Sequence, residues 1–99
     1  MVHRLAAQAY ADLDEIWTYT AGGSGSETIA DRLIDSITNR FYLLASHPHL
    51  GRARDDDLGR GRRSFPVGEY IIIYRVVGAD VRVLRVVHGR RNLAALFGR

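Results

Sequence analysis

RRSFPVGEYIIIYRVVGADVRVLRVVHGRRNLAALF, residues 62–97, carries the clearest strand pattern in the chain. Residues 69–77 and 81–87 are apolar, β-branched runs of strand length on either side of Gly78-Ala79-Asp80. They predict two antiparallel strands joined by a three-residue hairpin link. Residues 62–66 predict a further strand. Pro66 marks its end or a sheet edge, because proline has no N–H to give to a ladder. Residues 90–97 are too few for a helix that stands alone, so this tail must dock on something. Arginines edge the whole segment: Arg62-Arg63 lead into it, His88-Gly89-Arg90-Arg91 follow the second run, and Arg82 and Arg85 lie within that run. Arg82 and Arg85 are an odd interval apart, which sends them to opposite faces of one strand. A sheet edged with fixed positive charge points toward a partner rather than toward a buried catalytic pocket.

Upstream the pattern turns helical. A short first strand is expected over residues 2–5. From Ala6, the residues Tyr10, Leu13, Ile16, Trp17 and Thr20 recur at intervals of three and four, with Asp12, Asp14 and Glu15 on the other side. Trp17 reads as core. Ala21-Gly22-Gly23-Ser24-Gly25-Ser26 reads as a flexible break. A second helix follows, capped by Ser24 with Glu27 or by Ser26 alone. Its apolar face is Ala30, Leu33, Ile34, Ile37, Phe41 and Leu44, and it should end near Ser46, because Pro48 disfavours helix at His47. Residues 47–60 are a polar loop. The architecture that follows is α+β: an N-terminal antiparallel helical hairpin packed on one face of a small antiparallel β-sheet, with a short C-terminal helix and the other face partly open. Residues 1–99 form one domain on this reading.

The charge is unevenly placed. Residues 1–50 hold three arginines against six acids, net −3, and residues 51–99 hold eleven arginines against five acids, net +6. There is no lysine, so every basic side chain is a planar guanidinium able to grip a carboxylate or phosphate in two places. The basic half calls for an anionic partner, nucleic acid or an acidic peptide. Cysteine is absent, which excludes disulfides and thiolate metal sites and fits a cytoplasmic protein. No apolar run approaches the roughly 20 residues of a membrane span, and the N-terminus lacks the apolar stretch of a signal peptide.

Several groups could carry chemistry, each against a plainer alternative. Arg62, Arg63, Arg90 and Arg91 form an anion-binding groove if the hairpin brings them together, or a solvated surface with scattered ion pairs if it does not. His88 is a strand-end residue hydrogen-bonded to backbone, or a general base tuned by its neighbours. Tyr70 and Tyr74 share a strand face with Ile72, where they line a core or stack on a base. His47 and His49, with Asp55-Asp56-Asp57, are too few and too scattered for a metal site. No cofactor is implied.

Four stretches carry a resemblance: Ala11-Asp12-Leu13-Asp14-Glu15-Ile16-Trp17, residues 45–52 (ASHPHLGR), residues 63–75 (RSFPVGEYIIIYR) and Val86-Val87-His88-Gly89-Arg90-Arg91-Asn92. In this order, over nearly the whole chain, they resemble the ParE branch of the RelE/ParE toxin superfamily. The resemblance implies a toxin of a type II toxin–antitoxin system that causes growth arrest and serves plasmid or chromosome maintenance. It implies a ParD-like antitoxin, with a ribbon-helix-helix DNA-binding N-terminus and a C-terminal segment that wraps the toxin, and contact with DNA only through that antitoxin. ParE members are regarded as inhibitors of DNA gyrase, and RelE members as ribosome-dependent mRNA endonucleases. In the RelE pattern, Arg62 and Arg91 match basic positions. Ser64 replaces a second basic residue, Ile71 an arginine and Phe97 a tyrosine. Cleavage by 2′-hydroxyl attack needs a base, a proton donor and charge stabilisation, and Ile71 and Phe97 supply none of these. The expected site is therefore a docking surface for target or antitoxin that draws on Arg62, Arg63, Tyr70, Tyr74, Arg82, Arg85, His88, Arg90, Arg91 and Phe97. The alternative is an endonuclease using His88, Arg62 and Arg91.

Overall fold

The structure is a computed structural model and describes residues 2–97. Strand β1 (His3–Leu5) leads into helix α1 (Ala7–Ser24), and helix α2 (Glu27–Ser46) follows. Four strands come next: β2 (Arg52–Ala53), β3 (Arg62–Val67), β4 (Tyr70–Val77) and β5 (Asp80–His88). Helix α3 (Leu93–Leu96) lies beyond them. The sheet order is β1-β5-β4-β3-β2. All neighbours are antiparallel except β1, which runs parallel to β5 with Arg4 opposite Arg82.

The helices cover one face. Ala9 and Ile16 of α1 and Ile37, Phe41 and Leu44 of α2 pack on Val67, Ile72, Tyr74, Val81, Val83 and Val86. A second, smaller cluster lies on the opposite face, where Leu58, Ile73 and Val87 are buried beneath Ile71, Leu93, Leu96 and Phe97. The docking expected of the C-terminal tail is thus supplied by the strands' outer face.

The structure corrects three details of the sequence reading and decides the helix cap that it left open between Ser24 and Ser26. Residues 21–24 are not a break. Helix α1 runs through Gly22-Gly23 and stops at Gly25, whose left-handed φ of 69° lets its N–H return to the Ala21 carbonyl. Ser26 caps α2 by accepting the Ile29 N–H, while the Ser24 hydroxyl donates back to the Thr20 carbonyl. The β4–β5 link is two residues, because Val77 already pairs with Asp80. Only Gly78 of this pair has positive φ, the type II′ pattern. Residues 52–53, expected in a loop, form β2 by pairing with Ser64 and Arg63.

The helix faces also differ from expectation. Tyr10 is exposed, and Trp17 is half-buried between the helices, its indole N–H donating to Asp31 at 2.8 Å. Asp12, expected on the polar side, is buried instead. One Asp12 oxygen accepts from Arg85 Nε at 2.8 Å and from the Val86 N–H at 2.9 Å, and the other accepts from Arg85 Nη2 at 3.0 Å. A register shift opposite Ile73/Tyr74, where Arg85 and Val83 are the successive partners and Leu84 is left over, makes this possible. Such a bulge bends the strand and re-aims side chains.

Candidate functional site

The strand register fixes where the predicted site residues lie. Arg62 pairs with Arg75 and Arg75 with Arg82, at one end of the sheet. Val67 pairs with Tyr70 and Tyr70 with His88, at the other. Arg75 and Tyr70 are five residues apart on β4, about 17 Å at 3.4 Å per residue. The sheet therefore does not gather Arg62 and Arg63 with Arg90 and Arg91 into one groove, nor does it bring His88 and Arg91 to Arg62.

At the His88 end, a cleft of about 550 Å³ opens between α1 and the sheet. Its walls are Asp12, Glu15, Ile16, Thr18 and Tyr19 of α1, Tyr70 of β4, Val86–His88 of β5, and Arg91. The His88 and Tyr70 rings meet edge to face with centroids 5.5 Å apart. Nδ1 of His88 accepts the Arg90 N–H at 3.1 Å, so this nitrogen is engaged with the turn that follows the strand. Burial pushes the Tyr70 hydroxyl above its ordinary pKa, with Thr20 opposing. Tyr19 is 77% exposed at the mouth. Arg90 and Arg91 are exposed beside it. The cleft joins an apolar floor to aromatic and cationic walls, the makeup of a surface that receives a protein segment.

At the opposite end, Arg62 donates to the Leu58 carbonyl at 2.5 Å and lies 4.3 Å from the centre of the Phe97 ring. This contact holds the end of the α3 segment to β3. Arg82 and Arg75 are exposed beside it.

Three of the named residues are absorbed by the framework. Tyr74 is fully buried. Its hydroxyl donates to the Pro48 carbonyl and accepts the Gly51 N–H, each at 2.8 Å, and burial pushes its pKa up. Arg63 donates to the Gly51 carbonyl at 2.6 Å and to that of His49 at 3.3 Å. Together they pin the loop after α2 to the sheet. Arg85 is held by Asp12, which raises its pKa. Arg54 grips Asp57, one of the pairings open to the run Asp55-Asp56-Asp57 in the sequence, and donates to Ser64 on the outer face; the pairing lowers the Asp57 pKa. Among the described residues no three His, Asp or Glu side chains are placed to hold a metal ion, and no helix is long and apolar enough to cross a membrane.

A helical hairpin on a five-stranded sheet, with a short helix on the outer face, is the fold of toxins from toxin–antitoxin systems. It superposes on a chain of the chromosomal ParDE toxin–antitoxin system from P. aeruginosa with a TM-score of 0.77 at 22% identity, covering 89% of this chain and 95% of that one. On a chain of the RelBE2 toxin–antitoxin complex from Mycobacterium tuberculosis the TM-score is 0.65, also at 22% identity, covering 88% and 95%. In sequence it is 36% identical over 96 residues to toxin ParE1 of Caulobacter vibrioides, covering 97% of both chains. It is 38% identical over 88 residues to toxin ParE3 of the same organism, covering 89% of this chain and 86% of that one. The model of the family described as the ParE toxin of the type II toxin–antitoxin system parDE matches residues 4–93. The chain belongs to this ParE toxin family.

Proposed function

We propose that this ParE toxin acts by binding rather than by catalysis, that it inhibits DNA gyrase, and that a ParD-like antitoxin neutralises it by laying its C-terminal segment in the cleft at the His88 end. The observation that carries the non-catalytic reading is the placement of the endonuclease candidates. His88 and Arg91 stand at one end of the sheet and Arg62 at the other. Ile71, on the outer face, and Phe97, stacked on Arg62, are apolar. General acid–base cleavage needs its groups within hydrogen-bond reach of one phosphodiester. The deciding measurement is supercoiling by purified gyrase. Rising toxin should suppress it, and antitoxin should restore it; full gyrase activity at excess toxin rejects the proposal.

A second reading has one observation in its favour. The chain is also 37% identical over 59 residues to a C. vibrioides toxin named RelE3, covering 60% of this chain and 64% of that one. Primer extension on translated mRNA separates the two readings. Discrete cuts that vanish in His88→Ala would establish the endonuclease, and the gyrase reading expects none.

For the antitoxin, Arg90→Glu/Arg91→Glu should weaken the complex by about tenfold, and the remaining affinity should respond less to salt. Titration calorimetry across a salt series checks this, and unchanged affinity at every salt concentration refutes it.

A further inference from the structure

The strand register builds a feature that sequence spacing alone conceals. Arg4 on β1 is opposite Arg82 on β5, Arg82 is opposite Arg75 on β4, and Arg75 is opposite Arg62 on β3. Residues directly opposite in a ladder share a face. Four arginines therefore form one row across four adjacent strands, on the face away from α1 and α2. Arg4, Arg75 and Arg82 are exposed and Arg62 is half-buried. The ion pairs found among the described residues are Arg54–Asp57 and Arg85–Asp12, so no member of the row is paired. Of the acids in the flanking segments, Asp80 accepts the Val2 N–H, Asp55 that of Gly61 and Asp57 holds Arg54, and Asp56 is exposed to solvent. At the β1 end the row runs into a second cavity, of about 480 Å³, lined by His3, Arg4, Leu5, Tyr10 and Arg82, with no carboxylate in its walls.

Like charges directly opposite one another cost a sheet stability, and an anion laid along the row removes that repulsion. We propose that the row Arg62–Arg75–Arg82–Arg4, with the cavity at its end, binds the phosphodiester backbone of a nucleic acid directly. The site is distinct from the His88 cleft and independent of the gyrase reading. Adjacent strands lie about 4.8 Å apart, so the row is about 14 Å long. One strand of duplex DNA offers a phosphate roughly every 3.4 Å along its axis, about four over that length. Because that strand also winds around the duplex, the four guanidiniums meet at most about four phosphates. An acidic peptide is the weaker fit, because a segment that folds on binding must bury apolar surface to offset its lost freedom. The apolar centre of this face is already covered by Leu93, Leu96 and Phe97, and only the small side chains Val77 and Val2 are exposed beside the row, whereas the large exposed Tyr19, Ile29, Tyr42 and Leu43 are on the helices. Backbone binding to nucleic acid needs no apolar surface, because counterion release drives it.

Fluorescence anisotropy of the full chain, without antitoxin, tests the proposal with three probes: a labelled 20-base-pair DNA duplex, a 20-nucleotide single-stranded RNA and a polyglutamate peptide of equal charge. The expected slope of log K against log salt is about −3.6 on the duplex and about −2.8 on the single strand, for four phosphate contacts. The tighter of the two names the nucleic acid. Arg75→Ala/Arg82→Ala should lose about half of that slope, whereas Arg32→Ala/Arg40→Ala, which removes the same charge from α2, should keep it. Both Arg75 and Arg82 are exposed, and matching thermal melts confirm that the variants fold. Binding of neither nucleic acid at low salt, equal loss in both variants, or polyglutamate as the preferred ligand of the row overturns the proposal.

Discussion

Replacing Asp12 with alanine is expected to cost about 3–5 kcal/mol of stability, the usual penalty for breaking one side of a buried ion pair. The carboxylate is 4% exposed and is the shared acceptor for the Arg85 guanidinium and the Val86 N–H. Without it, a guanidinium left only 16% exposed has no counter-charge, and the Val86 N–H, on the edge of β5 beyond the end of β1, has no acceptor. A domain of this size holds only about 5–15 kcal/mol in total. The melting temperature should therefore fall by roughly 15–30 °C. Asp12→Leu/Arg85→Met removes both charges together and should cost less than Asp12→Ala alone, since apolar replacement of a buried pair is often close to neutral. A melting temperature for Asp12→Ala within a few degrees of the parent would show that the contact holds nothing together.

Gly51→Ala should be the second most damaging single change, at about 2–4 kcal/mol from overpacking and lost hydrogen bonds. A Cβ at Gly51 would lie 2.5 Å from the Tyr74 hydroxyl, 2.7 Å from its ring and 2.9 Å from the Ser64 carbonyl. Tyr74 cannot retreat, because it is fully buried and its hydroxyl is bonded to both Gly51 and Pro48. Tyr74→Phe alone strands those two backbone groups. In Gly51→Ala/Tyr74→Phe, however, the closest clash is gone. Urea unfolding of the four proteins should give a double variant more stable than the sum of the singles predicts, by about 1 kcal/mol or more. Strict additivity would mean that the hydroxyl is not what excludes a side chain at residue 51.

Residues 62–97 revealed most of the fold because their information is local. The runs at 70–77 and 81–87 have strand length and β-branched composition, and Gly78 lies where the turn needs positive φ. What stayed hidden is information held between strands. The row of arginines depends on which residue faces which, and Arg4 and Arg82 are 78 residues apart in sequence. The bulge at Leu84 leaves no mark in the sequence, yet it lets Arg85 reach α1. Asp12 did leave a signal. Ala9, Asp12 and Ile16 are spaced to share a helix face, and an acid on that stripe calls for a buried cation. Tyr70 and His88, both expected among the residues of a docking surface on the open sheet, line a cleft against α1 instead. Strand β2 has two residues, both exposed, and pairing with β3 alone defines it.

The parallel pairing of β1 with β5 has a consequence for how the toxin is made. Residues 3–5 emerge from the ribosome early, and their partners at 81–83 follow after most of the chain has been translated. At about 5–20 residues per second, that wait is roughly 4–16 s. Throughout it the helical hairpin has no sheet to lie on, and Asp12 has no Arg85. The cleft and the arginine row both include residues of β5, so neither exists on the nascent chain. On the proposed function, a copy being synthesised can engage no target until β5 is out. An antitoxin that meets it at that moment can cover the surfaces as they form rather than pull them from a target.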